Sequence, residues 1–283
     1  MEKYKSFAVE KAKEILAIDS PTGFTLKATD YLIKELKDLG YAPEYTKKGG
    51  VIVCLGGSDD GLLLTAHVDT LGGMVAEIKS DGRLRLTNLG GLRPENCECE
   101  NVKVYTRGGE VYDGTFNIIN PSVHVNLEYA KVERKFDNME VVLDKDVKTD
   151  KETLDLGIAV GDIVAFAPRT TLTGGYIKSR FLDDKLAVGI LLGYAKYIKE
   201  EKIKLPRKVY FHFTVYEEVG HGCSASCPSD VNEILSVDMG CVGKGLNCTE
   251  KQVSICSKDS GGPYNYEMVS RLIESAKKEN ADY

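Results

Sequence analysis

The stretch Leu62-Leu63-Leu64-Thr65-Ala66-His67-Val68-Asp69-Thr70 decides how the rest of the chain is read. Leu62 to Thr65 forms a short apolar run after a glycine-rich turn, which reads as a buried strand. An imidazole and a carboxylate follow directly, at the carboxyl end of the strand, where open α/β sheets place their sites. Upstream, Tyr4, Phe7, Ala8, Ile15 and Leu16 fall at helical spacing over residues 2–18. Asp19-Ser20-Pro21-Thr22-Gly23 breaks that pattern, and a second helix is expected over about 25–39, closed by Gly40. Val51 to Leu55 reads as another buried strand, so the chain opens with α/β texture.

Downstream the texture changes. From Leu71 to Pro168 short alternating runs dominate: Met74 to Ile78, Arg83 to Leu86, Val102 to Tyr105, Val123 to Leu127 and Val141 to Leu143. Asp81-Gly82, Gly108-Gly109 and Asp113-Gly114 read as turns between them, the signature of a small β-sandwich or barrel. Lys145 to Thr153 is charged and reads as an exposed turn or helix start. Helical texture returns at 185–200, followed by strands at Val209 to Val215 and Ile234 to Val237 and a helix from Tyr264 to Asn280. The expectation is therefore an α/β domain of residues 1–70 and 169–283, interrupted by an inserted β domain of residues 71–168.

Size and composition fit this. At ~150 residues per domain, 283 residues suggest about two domains, long enough to bury a core without a disulfide or metal. The chain carries 37 basic and 43 acidic residues, a net −6, with no basic run, so nucleic acid is not an expected partner. No apolar run approaches the ~18–20 residues that span a bilayer. The charged N-terminal helix is unlike a signal peptide, which points to the cytoplasm. The eight cysteines are then expected as free thiols, since Cys97-x-Cys99 and Cys223-x-x-x-Cys227 match structural zinc spacing poorly.

Four clusters carry chemistry. His67-Val68-Asp69 offers a zinc-type nitrogen ligand with a carboxylate near enough to orient it. Asp183-Asp184-Lys185 precedes a helix; such adjacent carboxylates either cap it or flank a cation. Glu217-Glu218 ends the most apolar strand, where one glutamate can ligate a metal while its neighbour acts as general base. Asp238 closes Leu235-Ser236-Val237 in the same manner. Each cluster alone is ordinary loop or cap chemistry. Together they supply one imidazole and several carboxylates, a donor set suited to zinc, cobalt or manganese rather than calcium. A pair of such ions ~3.5–4 Å apart would share a carboxylate and hold a bridging hydroxide.

In this order and at these spacings, His67-Val68-Asp69, Asp183-Asp184-Lys185, Glu217-Glu218-Val219-Gly220 and Asp238 resemble the tetrahedral-type metallo-aminopeptidases, a family that includes glutamyl and deblocking aminopeptidases. The resemblance extends to the Ser20-Pro21-Thr22-Gly23 loop and to the β insert, which in that family is a dimerisation domain. It implies a zinc-peptidase-like fold, a mixed sheet flanked by helices in which residues 1–70 and 169–283 form the catalytic domain, and two divalent metal ions, zinc or cobalt. His67 would bind one metal with Asp69 behind it, and Asp183 would bridge the two, Asp184 following through a strained peptide. Glu218 and Asp238 would be terminal ligands, and Glu217 would be the general base. The substrates implied are short peptides with a free N-terminus, and the assemblies implied are dimers and dodecamers formed through the insert.

The family's second histidine ligand lies beyond a helix like Tyr264 to Asn280. This chain has four histidines and none beyond His221, so it reads as short of a last strand and one ligand. His221 is expected in a loop role, and His124 and His212, placed within strands, in structural ones. Two alternatives stand beside the aminopeptidase reading. One is a related two-metal amidohydrolase or deacylase; the other is a chain inactive for want of that histidine. No separate pair of glycosidase carboxylates is present to support an endoglucanase.

Overall fold

Two helices lead the chain in the computed structural model, which describes residues 1–283. Helix α1 (Glu2–Leu16) buries Tyr4, Ala12, Ile15 and Leu16, and α2 (Leu26–Asp38) buries Ala28, Leu32, Ile33 and Leu36. Gly40 closes α2 with a φ of +81°: its N–H donates to Lys37 and that of Tyr41 to Leu36, the paired bonds of a Schellman cap. Strands β1 (Glu44–Tyr45), β2 (Val51–Gly56) and β3 (Gly61–His67) follow.

The chain then winds a closed barrel from β4 (Gly72–Ile78), β5 (Leu84–Leu89), β6 (Glu100–Tyr105), β7 (Val111–Ile118), β8 (Met139–Leu143) and β9 (Ile163–Phe166), paired in the order β4-β5-β8-β7-β6-β9. Val104, Phe116, Val141 and Phe166 fill its interior. A short helix, α3 (Asp150–Asp155), lies between β8 and β9, started by a reciprocal Thr149–Glu152 capping box within the charged stretch read as a helix start.

Two sequence expectations fail here. Asp113-Gly114 is not a turn but the middle of β7; a Cβ on Gly114 would stand 2.7 Å from the Val142 carbonyl, so this glycine permits close strand approach. Val123 to Leu127 is not a strand but a series of turns, with Val125 and Leu127 70% and 87% exposed. The alternation is there, but Val125 and Asn126 donate back to the Ser122 carbonyl, and Asn126 Nδ2 closes on Asn120. Local turn bonds win where no neighbouring strand is in place to pair. His124 therefore sits on an exposed turn.

After the barrel, β10 (Thr171–Thr173) and β11 (Tyr176–Lys178) pair as a small hairpin, leading to α4 (Leu182–Glu200). Strands β12 (Lys208–Thr214) and β13 (Val231–Ser236) complete the five-stranded sheet, in the order β1-β2-β12-β3-β13. Both β12 and β13 run parallel to β3, while β2 is antiparallel to β12. Thr214 lies level with His67 and Ser236 with Thr65, so the three parallel strands end on one edge. Phe211 and Phe213 of β12 pack with Val51, Val53, Leu191 and Leu192 in the core under α2 and α4. His212 is buried on the same strand, as the sequence suggested.

Residues Met1–Val237 form one compact unit and Asp238–Tyr283 a second. Within the second, α5 (Tyr266–Lys278) starts at Asn265, whose side chain accepts the Met268 N–H at 2.8 Å. Its apolar stripe of Met268, Val269, Leu272 and Ile273 is half-buried. Val253 N–H donates to the Asp282 carbonyl, fastening the tail of this unit. No helix of the chain is long and apolar enough to cross a membrane.

Candidate active site

The parallel register explains where the chemistry gathers. His67 is the last residue of β3, and its neighbour β12 ends level with it at Thr214. Glu217 and Glu218 lie just past β12, after Tyr216 turns the chain with a φ of +64°. Asp183 and Asp184 open α4, joined by a cis peptide, with non-helical backbone angles at both residues. The Asp184 carboxylate accepts the His67 N–H at 2.9 Å, fixing the helix start to the strand end.

His67 is 2% exposed. Its Nδ1 meets the main-chain carbonyl of Asp69 at 2.9 Å, closer than the 3.5 Å to that residue's carboxylate. A carbonyl can only accept, so Nδ1 carries the proton and Nε2 is left to face the carboxylates. Asp183 Oδ1 lies 3.0 Å from Nε2 and Glu217 Oε2 3.6 Å. Burial lowers the imidazole pKa, but Asp183 and Asp69, then Asp184, outweigh burial and raise it to about 11.

Asp69 is wholly buried, and its carboxylate accepts the Glu217 N–H at 3.1 Å, the Glu218 N–H at 3.3 Å and the Thr22 hydroxyl at 2.8 Å. Burial opposes its ionisation, but His67 and Thr22 outweigh it and hold the carboxyl below its ordinary range. Glu218 behaves in the opposite sense: burial pushes its carboxyl up to about 7, with His67 opposing and Asp183, Asp69 and Glu217 adding to the rise. Asp183 and Glu217 are each about half exposed, so the cluster opens to solvent.

One imidazole and two carboxylates, from His67, Asp183 and Glu218, bring their ligand atoms within 4.8 Å of one another. This nitrogen–oxygen set fits a divalent transition ion. The raised Glu218 pKa supports the fit, because a cation would relieve a carboxylate buried among other carboxylates.

Five of the six site residues expected from sequence thus converge: His67, Asp69, Asp183, Glu217 and Glu218. Asp238 opens the second unit, two residues past β13 in the chain. His221 stands in the loop after Glu218, exposed, with its ring stacked on Tyr216 at 5.3 Å and its carbonyl accepting from Lys48. Sequence reasoning gave no role to Thr22, Lys48 or Lys185. Lys185 is fully buried, its ammonium donating to the Ile18 carbonyl at 2.6 Å, and burial carries its pKa down to about 7 against the pull of Asp19. A lysine at the head of the apolar run Leu186-Ala187-Val188 was the available signal for Lys185. The Ser20-Pro21-Thr22-Gly23 break was the signal for Thr22.

The family model for M42 glutamyl aminopeptidases matches residues 49–283. The chain belongs to that family. YhfE of Bacillus subtilis (strain 168), an inferred aminopeptidase, is 43% identical over 278 residues, 97% of this chain and 80% of YhfE. The lysyl aminopeptidase of Pyrococcus furiosus is 28% identical over 75% of this chain and 60% of its own length. Among solved structures, the Pyrococcus horikoshii TET1 peptidase, which can assemble into a tetrahedron or a large octahedral shell, superposes with a TM-score of 0.83. The two are 25% identical, over 97% of this chain and 82% of the other. A TET aminopeptidase from a marine-sediment thaumarchaeon shares the fold at a TM-score of 0.85 and 21% identity. The M42 chain is accordingly an enzyme of the aminopeptidase class, a peptide hydrolase.

Proposed function

We propose that this chain removes N-terminal residues from short peptides with two divalent ions, zinc or cobalt, at the edge where β3 and β12 end. One observation carries this reading: the donor atoms of His67, Asp183 and Glu218 lie within 4.8 Å of one another, with Glu217 beside them. His67, Asp183 and Glu218 would hold the ions, Asp183 as the shared ligand. Asp238 would add a terminal ligand, a role proposed from its place two residues past β13. When bound, the ions supply Lewis acidity, polarising the scissile carbonyl and making water a stronger nucleophile at neutral pH.

The chain's own residues do the rest. His67 keeps its proton on Nδ1, against the Asp69 carbonyl, and a bound ion would take the place of the proton on Nε2. Glu217 is half exposed and reaches 3.6 Å from Nε2, which suits a base that takes a proton from water and returns it to the leaving amine. Asp69 acts behind them, receiving the N–H groups of both glutamates. The family match favours N-terminal peptide hydrolysis over the related deacylase reaction. Self-association through the barrel is part of the same reading, supported by the assemblies of the Pyrococcus horikoshii relative.

The test is metal content by elemental analysis together with release of p-nitroaniline from free and Nα-acetylated amino-acid p-nitroanilides. The expected result is metal-dependent release from the free-amine substrates only. A folded protein that binds no metal in excess zinc or cobalt, and releases nothing, would overturn the proposal.

A further inference from the structure

The Asp69 carboxylate does something other than orient His67. The imidazole Nδ1 is already taken by the Asp69 main-chain carbonyl at 2.9 Å. The carboxylate instead spans two chain segments: the Glu217 and Glu218 N–H groups on one side and the Thr22 hydroxyl on the other. The Thr22 bond, at 2.8 Å, is the shortest of the three; the Glu218 amide that shares Oδ2 with it stands at 3.3 Å. Without the hydroxyl, Oδ2 would keep only that longer contact, and the carboxylate could turn toward the protonated Nδ1 3.5 Å from Oδ1.

Thr22 itself has little freedom. Its N–H donates to the Thr70 carbonyl at 3.1 Å, and Thr70 N–H donates to Ser20 at 2.9 Å, pairing the loop with the residues just beyond His67. Ser20 Oγ donates to the Val68 carbonyl at 2.7 Å, and Lys185 holds Ile18 from behind. The hydroxyl is thus presented to Asp69 from a backbone fixed at several points, and both residues are buried.

Resting on the proposed function above, we infer that Thr22 is a positioning residue: through its hydrogen bond to the Asp69 carboxylate it fixes the backbone of Glu217 and Glu218, and with it the general base and a metal ligand. Its hydroxyl bonds the Asp69 carboxylate, not the His67, Asp183 or Glu218 donor atoms. Its effect passes through the Asp69 oxygens, and the hydroxyl rather than the side-chain volume carries it.

The experiment compares the full-length wild-type protein with Thr22→Val, Thr22→Ala and Thr22→Ser. It reads melting temperature, zinc affinity by competition with a chromophoric chelator, and kcat and KM on an amino-acid p-nitroanilide at saturating zinc. Loss of a hydrogen-bond partner behind a ligand typically weakens metal affinity or activity by about 10- to 100-fold. Thr22→Val and Thr22→Ala are expected to lower kcat at least tenfold with KM changed less than about twofold, and to weaken zinc binding by about tenfold. Thr22→Ser should return both to within about threefold of wild type despite its missing methyl. If Thr22→Val does not fold, the Ala and Ser pair decides alone. Equal losses of melting temperature in all three variants, with kcat and zinc affinity per folded molecule unchanged, would overturn the inference. So would failure of the serine to rescue. A wild-type protein that binds no zinc and turns nothing over would instead overturn the proposed function.

Discussion

The Tyr105 hydroxyl on β6 donates to the Asp19 carboxylate at 2.5 Å, tying the barrel to the loop that presents Thr22. Lys103, two residues earlier on the same strand, reaches the same carboxylate at 3.3 Å, and Phe24 packs on the Tyr105 ring at 4.7 Å. The other end of β6 holds Glu100, which pairs with Arg180, three residues before Asp183; Arg180 also donates to the Asn96 carbonyl at 2.6 Å. One barrel strand therefore braces both segments that feed the site. Replacing Tyr105 with Phe removes a charge-assisted hydrogen bond at a half-buried position, a loss of about 1 kcal/mol. Thermal unfolding is expected to shift down by ~2–4 °C. A Tyr105→Phe protein that melts with the wild type would show that this tie contributes nothing.

Helices α1 and α4 meet where α4 carries glycine. A Cβ on Gly189 would stand 2.6 Å from the Ala8 carbonyl oxygen and 2.7 Å from Ala12 Cβ, and one on Gly193 would stand 2.8 Å from Ala8 Cβ. Gly189→Ala gains up to ~1 kcal/mol of helix propensity, yet it must push a helix backbone away, a strain of ~1–3 kcal/mol or more. The net effect expected is destabilisation of about 1–2 kcal/mol, read as a lower urea midpoint, with Gly193→Ala milder. An unchanged or raised midpoint for Gly189→Ala would mean that α1 yields freely.

What the sequence carried, and what it did not, follows from the range of each interaction. Strand ends carrying His67, Glu217 and Asp238 were legible because apolar runs stop abruptly at charged residues, and the parallel register of β3 and β12 turns that pattern into proximity. The barrel was legible as alternation with turns. Its errors came where local and long-range preferences compete: Gly114 looked like a turn residue but serves close strand approach, and Val123 to Leu127 alternated with no partner strand in place. Thr22 and Lys185 left only a local trace, a break in helical pattern and a lysine heading an apolar run, which does not say what either binds. Their partners, Asp69 and Ile18, lie 47 and 167 positions away, and neither residue type announces such a bond.

His212 gives the fold a defined acid sensitivity. Burial, with a smaller contribution from Lys48, pushes its pKa from 6.5 down to about 4, while Cys223 Sγ, 3.9 Å from Nδ1, offers it no charge. The unfolded chain binds this proton more readily than the folded one, so stability rises with pH where the two differ. The contribution is fully present above about pH 6.5 and is lost as pH falls through about 4, in total about 3 kcal/mol. Urea midpoints measured from pH 7 to pH 4 should fall for the wild type. The fall should be shallower for His212→Asn, whatever that substitution does to the midpoint at pH 7. Parallel pH profiles for the two proteins would show that His212 does not titrate on unfolding.

Glu217 and Glu218 are neighbours in sequence with different assignments, and paired substitutions separate them. Glu217→Gln keeps the size of the side chain and the N–H that Asp69 receives, but removes the base. It is expected to lower kcat by about 10²–10⁴-fold with bound metal unchanged by elemental analysis. Glu218→Gln removes a ligand from the group it forms with His67 and Asp183. It is expected to weaken metal binding by more than about tenfold, with part of the activity recovered as zinc or cobalt is raised. The contrast also bears on how a group with a single imidazole holds a metal. If His67, Asp183 and Glu218 hold an ion on their own, the wild type should retain at least one equivalent through gel filtration, and Glu218→Gln should not. If Glu217→Gln instead strips the metal while Glu218→Gln leaves it bound and the enzyme slow, the two roles are reversed, and the residue 3.6 Å from His67 Nε2 is the ligand.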